Sequence, residues 1–208
     1  MTMPAERIGL GELLDPGNRE LLEDLAGHIS RGVVIVYPTE TIYGIGGRFD
    51  NREVYRRIIT AKRRPPDQPM ILIAASRSSF TTLDVSFPPA AQRLATTWWP
   101  GPLTIILPSV NRPEGIAVRV SDHPFLSALA RFFTLPLFST SANVSGTPYC
   151  SDPDVIYNEM KDHVDFMVDA GVLPVSEPSS VVRVAEDDTV TILREGSISA
   201  AAITSSTT

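Results

Sequence analysis

Short hydroxyl and amide side chains recur just after apolar segments, where they could hold a polar ligand. The stretch PTETIYG (38–44) follows the apolar segment 33–37 and carries Thr39 and Thr41. A second stretch, STSANVSG (139–146), supplies Ser139, Ser141, Asn143 and Ser145. Such short side chains donate and accept hydrogen bonds. We expect the two stretches to meet at one site, because α/β folds bind ligands in the loops at strand ends.

Four basic residues in other motifs along the chain could neutralise an anion. They are Lys62, Arg64, Arg119 and Arg194. Arginine can bind a carboxylate or phosphate through two parallel hydrogen bonds. Arg119 lies inside the otherwise apolar strand AVRV, and a buried arginine needs an anionic partner. That partner is either a structural carboxylate, such as Glu40 or Asp169, or the carboxylate of a substrate.

Signatures of covalent catalysis and of tight metal binding are missing from the sequence. Cys150 is the single cysteine, and the three histidines have no metal-binding spacing. No P-loop pattern occurs, and GIGG (44–47) lacks the spacing of a dinucleotide fingerprint. We expect these glycines to let a ligand approach the backbone or to adopt positive φ. The residues therefore suit a reaction that binds a polyanion beside a small polar molecule and proceeds by positioning and charge stabilisation.

Composition limits the class of protein. The chain has 208 residues, of which 43% are hydrophobic and 20% charged, as in an ordinary globular protein. The net charge of −6 disfavours nucleic acid as the main partner. Seven of the 18 Lys and Arg residues fall within 48–64, which indicates either an anion site or a solvated helix face. Apolar runs are too short to span a membrane and no export signal is visible, so we expect a cytoplasmic protein without membrane contact.

The order of elements predicts an α/β protein. Hydrophobic periodicity gives about eight strands and four or five helices, in an order that departs from a regular βαβα series. We therefore expect a single domain over 1–208, built on a twisted sheet of parallel and antiparallel strands flanked by helices. The motifs lie within about 16–196, and the small polar tail 197–208 is expected to fray.

Seven motifs in order resemble the YrdC-like family, and in particular the short bacterial threonylcarbamoyl-AMP synthases. They are YPTETIYGIGG (37–47), KRRP (62–65), WPGPLTIIL (99–107), AVRV (117–120), STSANVSG (139–146), PSSVV (178–182) and LREG (193–196). The resemblance implies a positively charged concave cavity on a mixed sheet. It also implies conversion of L-threonine, bicarbonate and ATP to threonylcarbamoyl-AMP and pyrophosphate, with Mg²⁺ carried by the phosphates. Partner proteins would transfer the group to tRNA beside the anticodon, and weak tRNA contact by this chain is compatible with that role.

The resemblance also assigns roles to residues. Those expected to bind threonine or carbamate are Thr41, Arg119, Ser141 and either Ser179 or Ser180. Those expected on the nucleotide side are Lys62, Arg64, Gln68, Asn143, Ser151 and Arg194. Lys62 and Arg64 would also be catalytic by holding the phosphates, and no protein ligand to a metal is expected.

Three departures from the longer family members keep alternatives open. Gln68 stands where many members have Asn, and Ile73 stands where longer members have a His near threonine. The chain ends soon after LREG, so we expect no second domain to cover the site. The alternatives are a YrdC-like paralogue with a different adenylating activity or none, and an RNA-binding module that uses the basic cavity without chemistry.

Overall fold

The PTET stretch connects two strands at the middle of a ten-stranded sheet. In the computed structural model, which describes residues 3–65 and 70–207, the apolar segment before it forms the buried strand β2. The chain turns through residues 38–43 and returns as β3, antiparallel to β2. The two threonines of the motif therefore lie at a strand end, as the sequence predicted.

The described residues form ten strands and seven α-helices. The strands are β1 (Glu6–Gly9), β2 (Ile35–Tyr37), β3 (Gly44–Arg48), β4 (Ile71–Ala74), β5 (Leu103–Ser109), β6 (Arg112–Val120), β7 (Leu137–Ser141), β8 (Phe166–Asp169), β9 (Ser180–Val184) and β10 (Val190–Arg194). The helices are α1 (Leu10–Leu14), α2 (Arg19–Arg31), α3 (Arg52–Ala61), α4 (Pro89–Trp98), α5 (Pro124–Leu129), α6 (Pro153–Met160) and α7 (Ala200–Ser205). Short 3₁₀ turns occupy Pro16–Asn18 and Arg77–Phe80.

The sheet is mixed, which confirms the predicted fold class. Its strand order is β1-β8-β2-β3-β7-β4-β6-β5-β9-β10. The parallel pairs are β1 with β8, β2 with β8, β4 with β6 and β5 with β9. The remaining neighbours are antiparallel. No helix in the described part of the chain combines the length and the apolar character needed to cross a bilayer.

Alternating side chains send strand residues to opposite faces of the sheet. On β2, Ile35 and Tyr37 join a core with α1, α2 and α5, whereas Val36 joins a core with α3 and α6. On β5, Leu103 and Ile105 join a third core with α4 and α7. The helices thus cover most of the sheet and leave part of one face for the cavity described below.

Strand β3 corrects the expectation of positive φ at GIGG. Gly44, Gly46 and Gly47 lie in a strand and none has φ in the left-handed region, whereas Gly44 does line the cavity described below. A Cβ on Gly46 would lie 1.9 Å from the carbonyl oxygen of Phe138 on β7. Its glycine therefore permits close approach of a neighbouring strand, and the ring of Tyr37 packs over the same position.

The tail is folded over the described residues 197–207, which corrects the expectation that this segment frays. Helix α7 is capped by Ser199, whose side chain accepts a hydrogen bond from Ala202 N. Ile203 is fully buried in the core beside α4. The indole of Trp98 donates to Ser206 Oγ at 3.1 Å. Burial of Ile198 and Ile203, together with the cap, holds a segment whose composition alone indicated fraying.

Candidate active site

A cavity of about 300 Å³ opens on one face of the sheet and brings together six of the predicted site residues. They are Thr41, Arg64, Arg119, Ser141, Ser179 and Arg194. Three arginines line it, and none of the described lining residues is Asp or Glu. The cavity is therefore positively charged, as expected, and its hydroxyls come from strand ends on both sides.

Arg119 projects from β6 into this cavity and is held on three sides. Its Nη2 lies 2.6 Å from Glu40 Oε1 and donates to Thr41 Oγ1 at 3.1 Å. Its Nε donates to the carbonyl oxygen of Gly101 at 3.3 Å. Of the two structural partners considered from the sequence, Glu40 is the one in contact, while Asp169 pairs with Arg7 at 2.8 Å. Among the described residues, Nη1 of Arg119 makes no polar contact.

Glu40 lies behind Arg119 and is itself anchored. Its Oε2 accepts a short hydrogen bond from the hydroxyl of Ser121. The Ser121 hydroxyl also accepts from His123 N at 3.2 Å, which ties it to the start of α5. Glu40 does not line the cavity, and its side chain is 16% exposed. The carboxylate is therefore fixed in place and acts on the cavity only through Arg119.

Thr39 shapes the loop that presents Thr41. Its hydroxyl donates to Ile42 O at 2.7 Å and accepts from the backbone N–H groups of Thr41 and Ile42, each at 3.2 Å. A threonine that bonds its own following backbone in this way stabilises a turn. The first threonine of PTET is thus mainly structural, and the second faces Arg119.

The two serines of PSSVV have different surroundings. Ser179 lines the cavity, and its hydroxyl lies 2.9 Å from Thr104 Oγ1. Ser180 is fully buried and points away, because its hydroxyl donates to Ile198 O and accepts from the N–H groups of Gly196 and Ile198. Of the two alternatives that the sequence left open, Ser179 is therefore the one positioned to meet a ligand.

Arg194 reaches the cavity from β10, at the end of LREG. Its Nη2 and Nε donate to the carbonyl oxygen of Ser179 at 2.7 and 3.1 Å. Partial desolvation lowers the pKa of Arg194, as it does that of Arg64. Gly196, which follows, has no room for a side chain, since a Cβ there would lie 2.1 Å from Pro178 O. This motif glycine allows the segment before Ser179 to pack against LREG.

Lys62 lies beneath the loop of the SAN motif and does not line the described cavity. Its ammonium donates to the main-chain oxygens of Ser141 and Asn143, the latter at 2.8 Å. It also contacts Ser141 Oγ at 3.4 Å and Asn143 Oδ1 at 3.3 Å. Burial, with a smaller contribution from Arg64, lowers the pKa of Lys62 to about 8. The two main-chain oxygens use two of the three N–H donors of the ammonium, and the phosphate role predicted for Lys62 stays a prediction.

Other predicted nucleotide residues lie beside the cavity or outside the description. Asn143 is buried and donates to Thr147 O at 2.6 Å, which closes its loop. Ser151 is half-buried and accepts a backbone hydrogen bond from Leu173. Gln68 lies outside the described residues. Ile73, which stands where longer family members have a His, belongs to the core near α5 and does not line the cavity. Ile71, two positions earlier on the same strand, does line it.

Thr104 and Tyr149 are two of the lining residues that the sequence did not single out. Thr104 is fully buried on β5, where it alternates with core residues and faces Ser179. The signal for it was a single hydroxyl inside the apolar run LTIIL. Tyr149 lies at the rim and is about half exposed. It follows the SAN motif by a few residues, and no pattern in the sequence distinguished it from an ordinary loop residue.

The basic segment 48–64 divides between the surface and the cavity. Arg48 pairs with Asp50 at 2.6 Å, Arg57 pairs with Asp165 at 2.7 Å, and Arg56 pairs with Glu53. Within the described lining, Arg64 is the residue that this segment contributes. Arg48, Arg56 and Arg57 are thus engaged in ion pairs with carboxylates, and the anion-binding role of this segment stays a prediction for Arg64.

A larger hollow of about 690 Å³ lies beside α3 and the β5–β6 hairpin and holds none of the predicted residues. It is lined by apolar side chains such as Leu72 and Phe138, together with charged residues of both signs. Within 3–65 and 70–207, no three His, Cys, Asp or Glu side chains are grouped closely enough to hold a metal ion. The first cavity is therefore the candidate active site.

Comparison with known families agrees with the motifs. The family model Sua5/YciO/YrdC, described as "Telomere recombination", matches residues 28–196. The chain belongs to this family. The resemblance to YrdC-like proteins inferred from the sequence is thereby confirmed.

Family members of two lengths resemble this chain. The threonylcarbamoyl-AMP synthase of Photobacterium profundum is 32% identical over 185 residues, which cover 84% of this chain and 98% of that protein. The threonylcarbamoyl-AMP synthase of Bacillus subtilis is 33% identical over 190 residues, which cover 87% of this chain and 55% of that protein. The Sua5 protein of Pyrococcus abyssi, solved with L-threonine, superposes with a TM-score of 0.79 at 28% identity, covering 92% of this chain and 57% of that one. The chain thus spans about half the length of the longer relatives.

Proposed function

We propose that this chain is a threonylcarbamoyl-AMP synthase that converts L-threonine, bicarbonate and ATP to threonylcarbamoyl-AMP and pyrophosphate. The observation that carries the proposal is that Arg119, with Thr41 beside it, lines the same cavity as Arg64 and Arg194. Such a cavity suits a carboxylate and a triphosphate held side by side. Relatives with this name, and a threonine-bound structure of a relative, support the choice of substrate.

The chemistry needs no nucleophile from the protein. The threonine amine forms a bond to the carbon of bicarbonate, water is lost, and a carbamate results. A carbamate oxygen then bonds to the α-phosphorus of ATP, and the bond to the β-phosphate oxygen breaks as pyrophosphate leaves. Both steps bring anions together, so the protein contributes mainly by positioning them and neutralising charge.

The described residues can be assigned to these tasks. Arg119 would bind the threonine carboxylate through Nη1, with Thr41 fixing the guanidinium. Arg64 and Arg194 would bind phosphate oxygens. The hydroxyls of Ser141 and Ser179 would bind the threonine or its carbamate. We propose that Lys62 supports this arrangement by holding the loop of Ser141 and Asn143.

We propose that Mg²⁺ enters bound to the ATP phosphates, because the described residues offer no group of three metal ligands. The product is a reactive mixed anhydride, and we propose that separate transfer proteins pass its threonylcarbamoyl group to tRNA. Direct contact with tRNA would be weak and sensitive to salt, since the chain carries a net charge of −6. The proposed site of action is the cytoplasm, where ATP and tRNA are available.

Pyrophosphate release tests the proposal. The assay contains ATP, Mg²⁺ and bicarbonate, with L-threonine, L-serine, glycine or no amino acid. Release that requires both bicarbonate and L-threonine supports the synthase, and Arg119→Ala should abolish it. Binding of ATP without release under any of these conditions would overturn the proposal and favour a paralogue with another activity. Salt-sensitive RNA binding with neither ATP binding nor release would favour the RNA-binding module.

A further inference from the structure

The Arg119–Glu40 pair gives the cavity a charge pattern that its lining alone does not reveal. Arg119 contacts a carboxylate at 2.6 Å, whereas Arg194 donates to a neutral carbonyl oxygen. The two side chains of the pair are only 6% and 16% exposed, so water screens their interaction weakly. Around Arg119 the cavity is therefore close to electrically neutral.

We propose that Glu40 makes the Arg119 position selective for a zwitterion over a polyanion. This inference rests on the proposed function, in which an amino acid and a triphosphate share one cavity. A free amino acid carries one positive and one negative charge, so the field of Glu40 repels its carboxylate and attracts its ammonium group. A polyphosphate carries only negative charge and experiences the repulsion alone. Glu40 would thus keep ATP and pyrophosphate away from Arg119 without touching either of them.

The anchoring of Glu40 supports a dedicated role. Oε2 is fixed by the Ser121 hydroxyl, which is held in turn by the backbone of His123. Oε1 is buried and has Arg119 as its polar contact in the described part of the protein. A carboxylate that served only to satisfy Arg119 would not need a second anchor on a neighbouring loop. Because Glu40 does not line the cavity, it is a specificity-determining residue that acts through Arg119.

Competition between pyrophosphate and threonine tests this role. Calorimetry measures the Kd for L-threonine at increasing pyrophosphate in the wild type, in Glu40→Gln and in Asp154→Asn. Asp154→Asn is a matched control, because it removes one carboxylate from the exposed pair with Arg7. We expect pyrophosphate to leave the threonine Kd unchanged in the wild type and the control. In Glu40→Gln we expect pyrophosphate to compete and to raise the apparent Kd about tenfold. Equal behaviour of all three proteins would overturn the inference.

Two additions keep the test decisive. Glu40→Gln leaves Arg119 buried without a carboxylate and could unfold the protein, so Glu40→Asp is measured as well. It retains the charge at a greater distance and should give weaker competition in the same direction. Absence of competition in every Glu40 variant that folds would overturn the inference.

If the wild type binds no threonine, the proposed function fails while the role of Glu40 can still be decided. Pyrophosphate stoichiometry then serves as the measurement. A second pyrophosphate site in Glu40→Gln that is absent from the wild type would support exclusion of polyanions by Glu40. The same number of sites in both proteins would overturn it.

Discussion

The ammonium of Lys62 donates to the main-chain oxygen of Asn143 at 2.8 Å, so a lysine of the KRRP motif holds the loop of the SAN motif. The two motifs lie about eighty positions apart along the chain and meet through this contact. The lysine is 3% exposed and shares its hydrogen bonds between Asn143 and Ser141. One side chain therefore couples the two motifs that flank the cavity.

Lys62 should lose its proton near pH 8, well below the ordinary lysine value of 10.5. Burial disfavours the charged form, so the group is an ammonium below pH 8 and neutral above it. The chain has two lysines, and Lys161→Arg leaves a single signal to follow by NMR of labelled lysine ε-carbons. A midpoint at the ordinary value would contradict the burial of this group.

The same shift has a consequence for stability. Between pH 8 and 10.5 the unfolded chain retains the lysine proton that the folded protein has lost. Stability contributed by this group therefore increases as the pH rises through that window. Chemical unfolding of the wild type and of Lys62→Met, compared at pH 8 and pH 10, measures the difference. A difference that stays constant across the window would be inconsistent with the shift.

Arg119→Ala should weaken L-threonine binding by about a hundredfold, because the charge-assisted contact of Nη1 with the carboxylate is lost. ATP binding should change much less, since Arg64 and Arg194 remain in the cavity. Calorimetry with each ligand separates the two effects. Arg183→Ala is the matched control, because Arg183 lies on β9 with an exposed side chain and does not line the cavity. Equal loss of both ligands in Arg119→Ala would indicate a general structural defect instead.

Ser179→Ala and Ser180→Ala should have opposite consequences, although the residues are adjacent. Removal of the Ser180 hydroxyl leaves the N–H groups of Gly196 and Ile198 without their acceptor, and the buried N–H of Ile198 alone would cost about 1–3 kcal/mol. Ser180→Ala should therefore lower the free energy of unfolding and leave kcat little changed. Ser179→Ala should lower the rate of pyrophosphate release and leave stability nearly unchanged. Thermal unfolding and the pyrophosphate assay are applied to both variants. A loss of stability in Ser179→Ala together with a loss of rate in Ser180→Ala would refute the assignment of Ser179 to the cavity and Ser180 to the core.

Ile203→Ala should destabilise the protein by about 2–4 kcal/mol, as expected for truncation of a fully buried isoleucine. The reason is that Ile203 fills the core between α7 and α4. Thr204→Ala, at the exposed neighbouring position, should stay within about 0.5 kcal/mol of the wild type. Denaturant unfolding measures both changes. Similar stability of the two variants would mean that the tail is not docked in solution.

Sequence patterns predicted the strands that are apolar and bounded by turn residues, because a buried strand requires a run of apolar side chains that is visible in the sequence. They failed for β3, whose GIGGR sequence resembles a loop. At Gly46 a side chain would collide with the carbonyl oxygen of Phe138 and the ring of Tyr37, and both of these neighbours belong to other strands. They failed also for α7, where one buried isoleucine outweighs a small polar composition. Both errors arise because tertiary packing overrides local preference.

Prediction of the candidate site from the sequence was limited in the same way, because tertiary contacts decide which residues meet. The sequence indicated that Arg119 needs an anionic partner, and it could name Glu40 as one of two structural alternatives. Which of Ser179 and Ser180 faces the cavity depends on the strand register, since neighbouring residues point to opposite faces. The placement of Lys62 beneath a loop rather than at the cavity depends on a contact between residues distant in sequence. Patterns identify residue types at strand ends, whereas distances between them follow from the whole fold.

The indole of Trp98 donates to Ser206 across the junction of α4 and α7, and Trp99 donates to the main chain of Leu103 at 2.6 Å. These are the two tryptophans of the chain, and neither belongs to the described lining of the cavity. Indole fluorescence is thus an intrinsic reporter of the C-terminal helix and a poor indicator of ligand occupancy. A change of emission without loss of far-ultraviolet circular dichroism would show that helix detaching while the sheet stays intact.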